Sequence, residues 1–248
     1  MKEVSQQAYA RFAGIMYLVV DALDIAGVVI VARVSGTGGF LATAHSIAAS
    51  ETLYRIGICL GLAGILATIL LAVGLYITVK PVDANMAITA LLFRMAESVM
   101  AGMAIVLSFA TLQIYIEADR TSAFDADQLA ALADLSSRIS GFPTGVAPVV
   151  SIIFFSVGSA IFFYLFLRSA YIPRILAAGG LLASLFSLVT FIGSLVVVQS
   201  SQMLIGIGAL PIGIAEIVTG LWLLIRGIKT QPSESQLQAD VVAALQAE

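Results

Sequence analysis

Five ionisable residues fall near the middle of long apolar runs: Asp21 and Asp24 in one run, Arg94 and Glu97 in another, Glu216 in a third. A charge at mid-bilayer costs roughly 2.5–3.5 kcal/mol on insertion scales, so such residues turn toward protein, pair with one another and mark a site. Asp21, Asp24, Glu97 and Glu216 outnumber Arg94, and the excess negative charge calls for protonation or a bound cation. Tyr17, one helical turn before Asp21, shares its face. The chemistry implied is the binding of a cation, a cationic small molecule or a proton.

Other chemistries find no support. The chain contains no HExxH, no GxSxG and no glycine-rich phosphate loop ending in Lys-Ser or Lys-Thr. One histidine, His45, cannot supply paired axial haem ligands and reads as a surface residue. Lys2, Lys80 and Lys229 lie at the edges of apolar runs, where none can form a Schiff base deep in a bundle. No metal, no cofactor and no catalytic residue is expected. Cys59 is alone, which excludes an intramolecular disulfide, and reads as a packing residue.

The elements that must position these charges are transmembrane helices. Hydrophobic residues make up 60% of the 248 and charged residues 11%, with a mean hydropathy of +1.05, more apolar surface than a soluble fold of this size can hide. Apolar runs at about 10–33, 54–79, 86–112, 146–168, 173–198 and 203–227 each reach the ~20 residues that cross a bilayer. The expectation is an all-α, polytopic six-helix bundle over 1–229 in contact with lipid, followed by a polar cytoplasmic tail, 230–248. That tail opens with Gln231-Pro232 and offers a capping box from Ser233 to Gln236. The net charge of −3 gives no reason to expect nucleic acid. Because Asp21 and Asp24 interrupt the first run, it reads as a retained helix rather than a signal peptide.

Lysine and arginine placement sets the orientation. Lys2, Arg11, Lys80, Arg168, Arg174, Arg226 and Lys229 fall on one side, and Arg33, Arg55, Arg120 and Arg138 on the other, which puts both termini in the cytoplasm of a cell membrane. Tyr9, Tyr76, Tyr164, Tyr171 and Trp222 suit the inner boundary, and Tyr54 and Tyr115 the outer one. Outside, residues 34–53 open on Gly36-Thr37-Gly38-Gly39. Residues 124–139 form an amphipathic helix in which Asp125 and Gln128 make a capping box and Leu129, Leu132, Leu135 and Ile139 a stripe. That helix is expected on the membrane surface or over the bundle; a lid over an entrance is the alternative.

Small residues accompany the charges. Ala90, Arg94, Glu97, Ala101, Ala104 and Ser108 recur at helical spacing, as do Ala209, Gly213, Glu216 and Gly220, and Gly57, Gly61, Gly64 and Thr68. Such faces pack against protein. At ~1.5 Å per residue, Asp21, Glu97 and Glu216 all lie roughly 15–16 Å from the cytoplasmic ends of their helices. Arg94 is therefore expected to pair with Glu216 across helices, with Glu97 as second partner.

Several strings resemble the bacterial and archaeal integral-membrane family known as domain of unknown function 4386. They are Ala10-Arg11-Phe12-Ala13-Gly14-Ile15-Met16-Tyr17-Leu18, then Leu75-Tyr76 to Lys80-Pro81-Val82 leading to Phe93-Arg94-Met95-Ala96-Glu97, then Tyr164-Leu165-Phe166 through Arg168 to Arg174, and Glu216-Ile217 to Gly227. The resemblance implies a six-helix membrane protein with Arg94, Glu97 and Glu216 at family-like positions, and no activity. Asp21 and Asp24 stand where it leads one to expect apolar or small residues. Three functions stay open: a small transporter for a cation or cationic molecule, aided by Pro211 breaking the last helix; a sensor or accessory subunit built on a structural ion-pair cluster; and, on thin evidence, an intramembrane enzyme. A homo-oligomer or a membrane partner is compatible with each.

Overall fold

A computed structural model describes residues 5–120, 125–141 and 145–229; Phe124 and the 230–248 tail with its expected capping box lie outside them. The described residues form α1 (Gln6–Ser35), α2 (Phe40–Ala49), α3 (Glu51–Val79), α4 (Ala84–Asp119), α5 (Ala126–Ser140), α6 (Val146–Ser169), α7 (Arg174–Val196) and α8 (Ser201–Ile225), with a 3-10 turn at Val198–Ser200. All but α2 and α5 are long and apolar enough to cross a membrane. α8 runs unbroken through Pro211, contrary to the expected break.

Each spanning helix packs against the next, and α8 closes on α1, giving a ring in the order α1, α3, α4, α6, α7, α8. α3 shows how the sequence builds it. Leu62, Leu66, Leu70 and Val73 form an exposed stripe for lipid, while Gly64, Ala67, Thr68, Leu71, Ala72 and Leu75 turn inward. Cys59 belongs to the lipid-facing stripe and is exposed, which corrects the packing role expected for it. Glycine lets the ring close: a Cβ on Gly14 would lie 2.5 Å from the Leu224 backbone nitrogen, and one on Gly27 2.8 Å from the Gly57 carbonyl oxygen. At the end carrying both termini, Gln6 donates to the Thr78 carbonyl at 2.6 Å and Gln7 accepts from the Ile228 amide at 3.0 Å.

The opposite end is taller. α4 has 36 residues, ~54 Å of helix against a hydrocarbon core of ~30 Å. α5 folds back antiparallel along its last third, with the Thr111 and Ser136 hydroxyls 2.6 Å apart. The capping box forms as read: Asp125 accepts from the Gln128 amide at 2.8 Å, and the Gln128 side chain accepts from the Asp125 amide at 3.4 Å. Only Leu129 of the four stripe residues is buried, alongside Ala133 and Ser140, while Leu132, Leu135 and Ile139 are exposed. α2, in a segment not read as a helix, packs against α4 and α1, and His45 on it is exposed with Nδ1 3.0 Å from Asp119 Oδ1.

Candidate functional site

Between α1, α3 and α4, with α5 and the start of α6 as the remaining walls, lies a cavity of about 480 Å³. Its floor is Asp24, Thr68, Glu97 and Ser98; its far end is Tyr54, Thr111, Tyr115, Ser137 and Ser140. Asp24 and Glu97 are the charged residues among its lining. The small-residue faces explain the space. Gly57, Gly61, Ala101, Ala104 and Ser108 line it, so side chains too short to fill the gap between α3 and α4 leave it open.

The six sequence-derived residues divide at this floor. Asp24 and Glu97 line the cavity, and Asp24 lays its carboxylate over Gly64 of α3. Arg94, Tyr17, Asp21 and Glu216 lie outside the lining, with Arg94 and Tyr17 buried and Asp21 and Glu216 half-buried. Tyr17 is 4% and Arg94 2% exposed. Tyr17 packs on Gly220, where an added Cβ would sit 2.8 Å from its own Cβ.

Arg94 does not make the pair expected of it. Its Nη1 lies 3.1 Å from Glu97 Oε2, one turn along α4, and among the described residues no carboxylate of α8 comes within ion-pair distance. The reason is packing. Gly158 of α6 leaves room for the arginine stem, the guanidinium carbon sits 4.7 Å from the centre of the Phe155 ring, and Nη1 points to the Ser159 hydroxyl at 3.4 Å. α6 thus holds the guanidinium on the α4 side of the bundle. Asp21 Oδ2, Arg94 Nε, Glu216 Oε1 and Thr219 Oγ1 are buried without a hydrogen-bond partner, and Glu97 Oε2, within ion-pair distance of Arg94, makes no aligned hydrogen bond.

Glu97 is where the two regions meet: it touches Arg94 below and lines the cavity above. Ser151 of α6 fixes this level by donating to the Glu97 carbonyl at 3.0 Å. Below the cluster the ring is filled by Ala13, Leu71, Leu75, Phe162, Phe163 and Phe166, each no more than 2% exposed. The cavity therefore ends blind on the side of the termini.

Sequence reasoning missed the upper walls. Tyr54, read as a boundary anchor, is 7% exposed and lines the cavity with Tyr115. α5 supplies Ser137 and Ser140 as a wall of the cavity, the over-the-bundle placement of the two expected for it. Hydroxyl residues at helical spacing, such as Ser137 and Ser140, were the available signal.

The sequence model described as Domain of unknown function (DUF4386) matches residues 12–227, nearly the whole described bundle. The chain belongs to this family. No curated protein and no solved structure matches this DUF4386 protein. Among its described residues, no group of three His, Cys, Asp or Glu side chains is arranged to hold a metal ion. The arrangement offers a blind, mostly apolar, negatively floored cavity suited to a cation with an apolar part.

Proposed function

We propose that the protein is a ligand-binding membrane protein that takes a small, partly apolar cation into the α1–α3–α4 cavity, with Asp24 and Glu97 as its counter-charges. The observation that carries this reading is Glu97, lining an apolar cavity on one side and held 3.1 Å from Arg94 on the other. A bound cation places a second positive charge beside Glu97 and alters its balance with Arg94. The change passes to Phe155 and Ser159 on α6, which Arg94 touches. This makes the protein a sensor or the receptor subunit of a membrane assembly, with no catalytic step of its own. A transport cycle would have to open the dry half of the ring around Phe162, Phe163 and Phe166, which favours binding over passage. With the termini cytoplasmic, as the lysine and arginine bias supports, the ligand comes from the outer side of the cell membrane.

The test is thermal stability of the protein in lipid nanodiscs. Octylamine should raise the midpoint in the parent, octanol at equal membrane loading should not, and Glu97→Gln and Asp24→Asn should each reduce the shift. Equal shifts with the amine and the alcohol, unaltered in both variants, would overturn the reading.

A further inference from the structure

The cavity is long. Thr68 and Tyr54 mark its two ends on α3, Glu97 and Thr111 mark them on α4, and fourteen residues of helix span ~21 Å. A shaft of that length matches an extended chain. Val28, Val31, Ile58, Ile65, Ile105 and Ile152 supply apolar wall along it.

The hydroxyls on the walls carry a second, independent message. Ser98 donates to the Arg94 carbonyl at 3.0 Å and Ser151 to the Glu97 carbonyl at 3.0 Å; Ser108 donates to Ala104 at 2.8 Å, Thr111 to Leu107 at 2.9 Å, and Ser140 to Ser136 at 3.1 Å. Each hydroxyl has spent its one hydrogen on a helix carbonyl, so what remains is lone pairs. Around the floor, Ser98 and Ser151 thus join the carboxylates of Asp24 and Glu97 as acceptors, and Thr68 is left as a hydroxyl donor. Such a floor has more acceptors than donors. It suits a ligand head that brings several N–H groups and a positive charge, and it rejects carboxylates and phosphates.

We infer that the ligand is a single-chain primary amine: an alkylammonium whose head sits between Asp24 and Glu97 and whose chain lies along α3 and α4 toward Tyr54 and Tyr115. This rests on the cation-binding reading above and adds to it the head group and the shape. A quaternary ammonium carries the same charge without hydrogens, so it tests the acceptor floor separately from the charge. Losing charge-assisted hydrogen bonds costs on the order of tenfold or more in affinity.

The experiment measures binding of n-alkylamines of increasing length, and of their N,N,N-trimethyl counterparts, to the protein in nanodiscs, with affinities expressed relative to amine dissolved in the same lipid. Primary amines should bind at least tenfold tighter than trimethyl analogues of equal chain. Affinity should rise with chain length to an optimum and then fall. Ser108→Leu and Ala104→Leu, which narrow the shaft above the floor, should each move that optimum to shorter chains. Equal affinity for primary and trimethyl heads, or no dependence on length, would overturn this inference and leave the cation reading standing. Binding of neither head group, with Glu97→Gln like the parent, would overturn both.

Discussion

Arg94 reaches along its own helix rather than across the bundle, with Nη1 3.1 Å from Glu97 Oε2, whereas among the described residues no carboxylate of α8 lies within ion-pair distance of it. Removing one member of a buried pair strands the other, at a cost of about 3–5 kcal/mol. Arg94→Leu should therefore be strongly destabilising. Adding Glu97→Leu should recover most of that loss, and adding Glu216→Leu should recover less. Unfolding midpoints for the two double-mutant cycles give the comparison, and a larger coupling for Arg94 with Glu216 would contradict the geometry.

Two glycines separate packing from backbone propensity. A Cβ on Gly14 meets the backbone of α8 at 2.5 Å, whereas one on Gly102 meets nothing within 4 Å. Gly14→Ala should cost about 1–3 kcal/mol by forcing α1 from α8. Gly102→Ala, in mid-helix, should be neutral or stabilising by up to ~1 kcal/mol. Thermal unfolding of both variants in one lipid checks the contrast.

Asp83 couples the start of α4 to the end of α6. Its carboxylate accepts from the Met86 amide at 3.0 Å and from Arg168 at 3.2 Å. These bonds hold its pKa below the ordinary aspartate value, the Met86 amide first among the causes. A carboxyl depressed in the folded state stabilises fully above its unfolded pKa of ~3.9 and ceases to as pH falls through the lower folded value. Asp83→Asn should therefore lower the unfolding midpoint by a constant amount above about pH 5. The difference from the parent should shrink in more acid buffer. A difference that grows on acidification would contradict this assignment.

Orientation has its own check. Asp127 on α5 is exposed and belongs to the end expected outside. In a Cys59→Ser background, the thiol introduced by Asp127→Cys should react with a membrane-impermeant maleimide in right-side-out vesicles. Reaction only after the vesicles are opened would invert the topology.

Much of the scaffold is legible in the chain because bilayer physics is one-dimensional. A helix must be apolar over ~20 residues, and Asp125 with Gln128 announces a helix start by purely local hydrogen bonds. What depends on packing between elements is not legible. Arg94 has a carboxylate at i+3 and others on neighbouring helices at similar depth, and only Phe155 and Gly158 on α6 decide among them. Asp21 and Asp24 are three residues apart on one helix, yet Asp24 turns to Gly64 and the cavity while Asp21 keeps a buried oxygen beneath it. Tyr54 has the sequence position of an interfacial anchor. It becomes a cavity wall because α2, α5 and the extension of α4 rise around it. α2 itself escapes a periodicity reading, since only Ala44 and Ile47 of its ten residues are buried.

The central claim is that a cation occupies the cavity above Glu97. Ile105 lines that cavity, and its Cδ1 lies 3.2 Å from where a Cβ on Gly61 would sit. A thiol introduced there by Ile105→Cys, with Cys59→Ser, reports occupancy through its rate of modification by a small methanethiosulfonate. Octylamine should slow modification in a saturable way, octanol at equal membrane loading should not, and adding Glu97→Gln should abolish the protection. An unchanged rate with octylamine, or equal protection with Gln at position 97, would contradict the account.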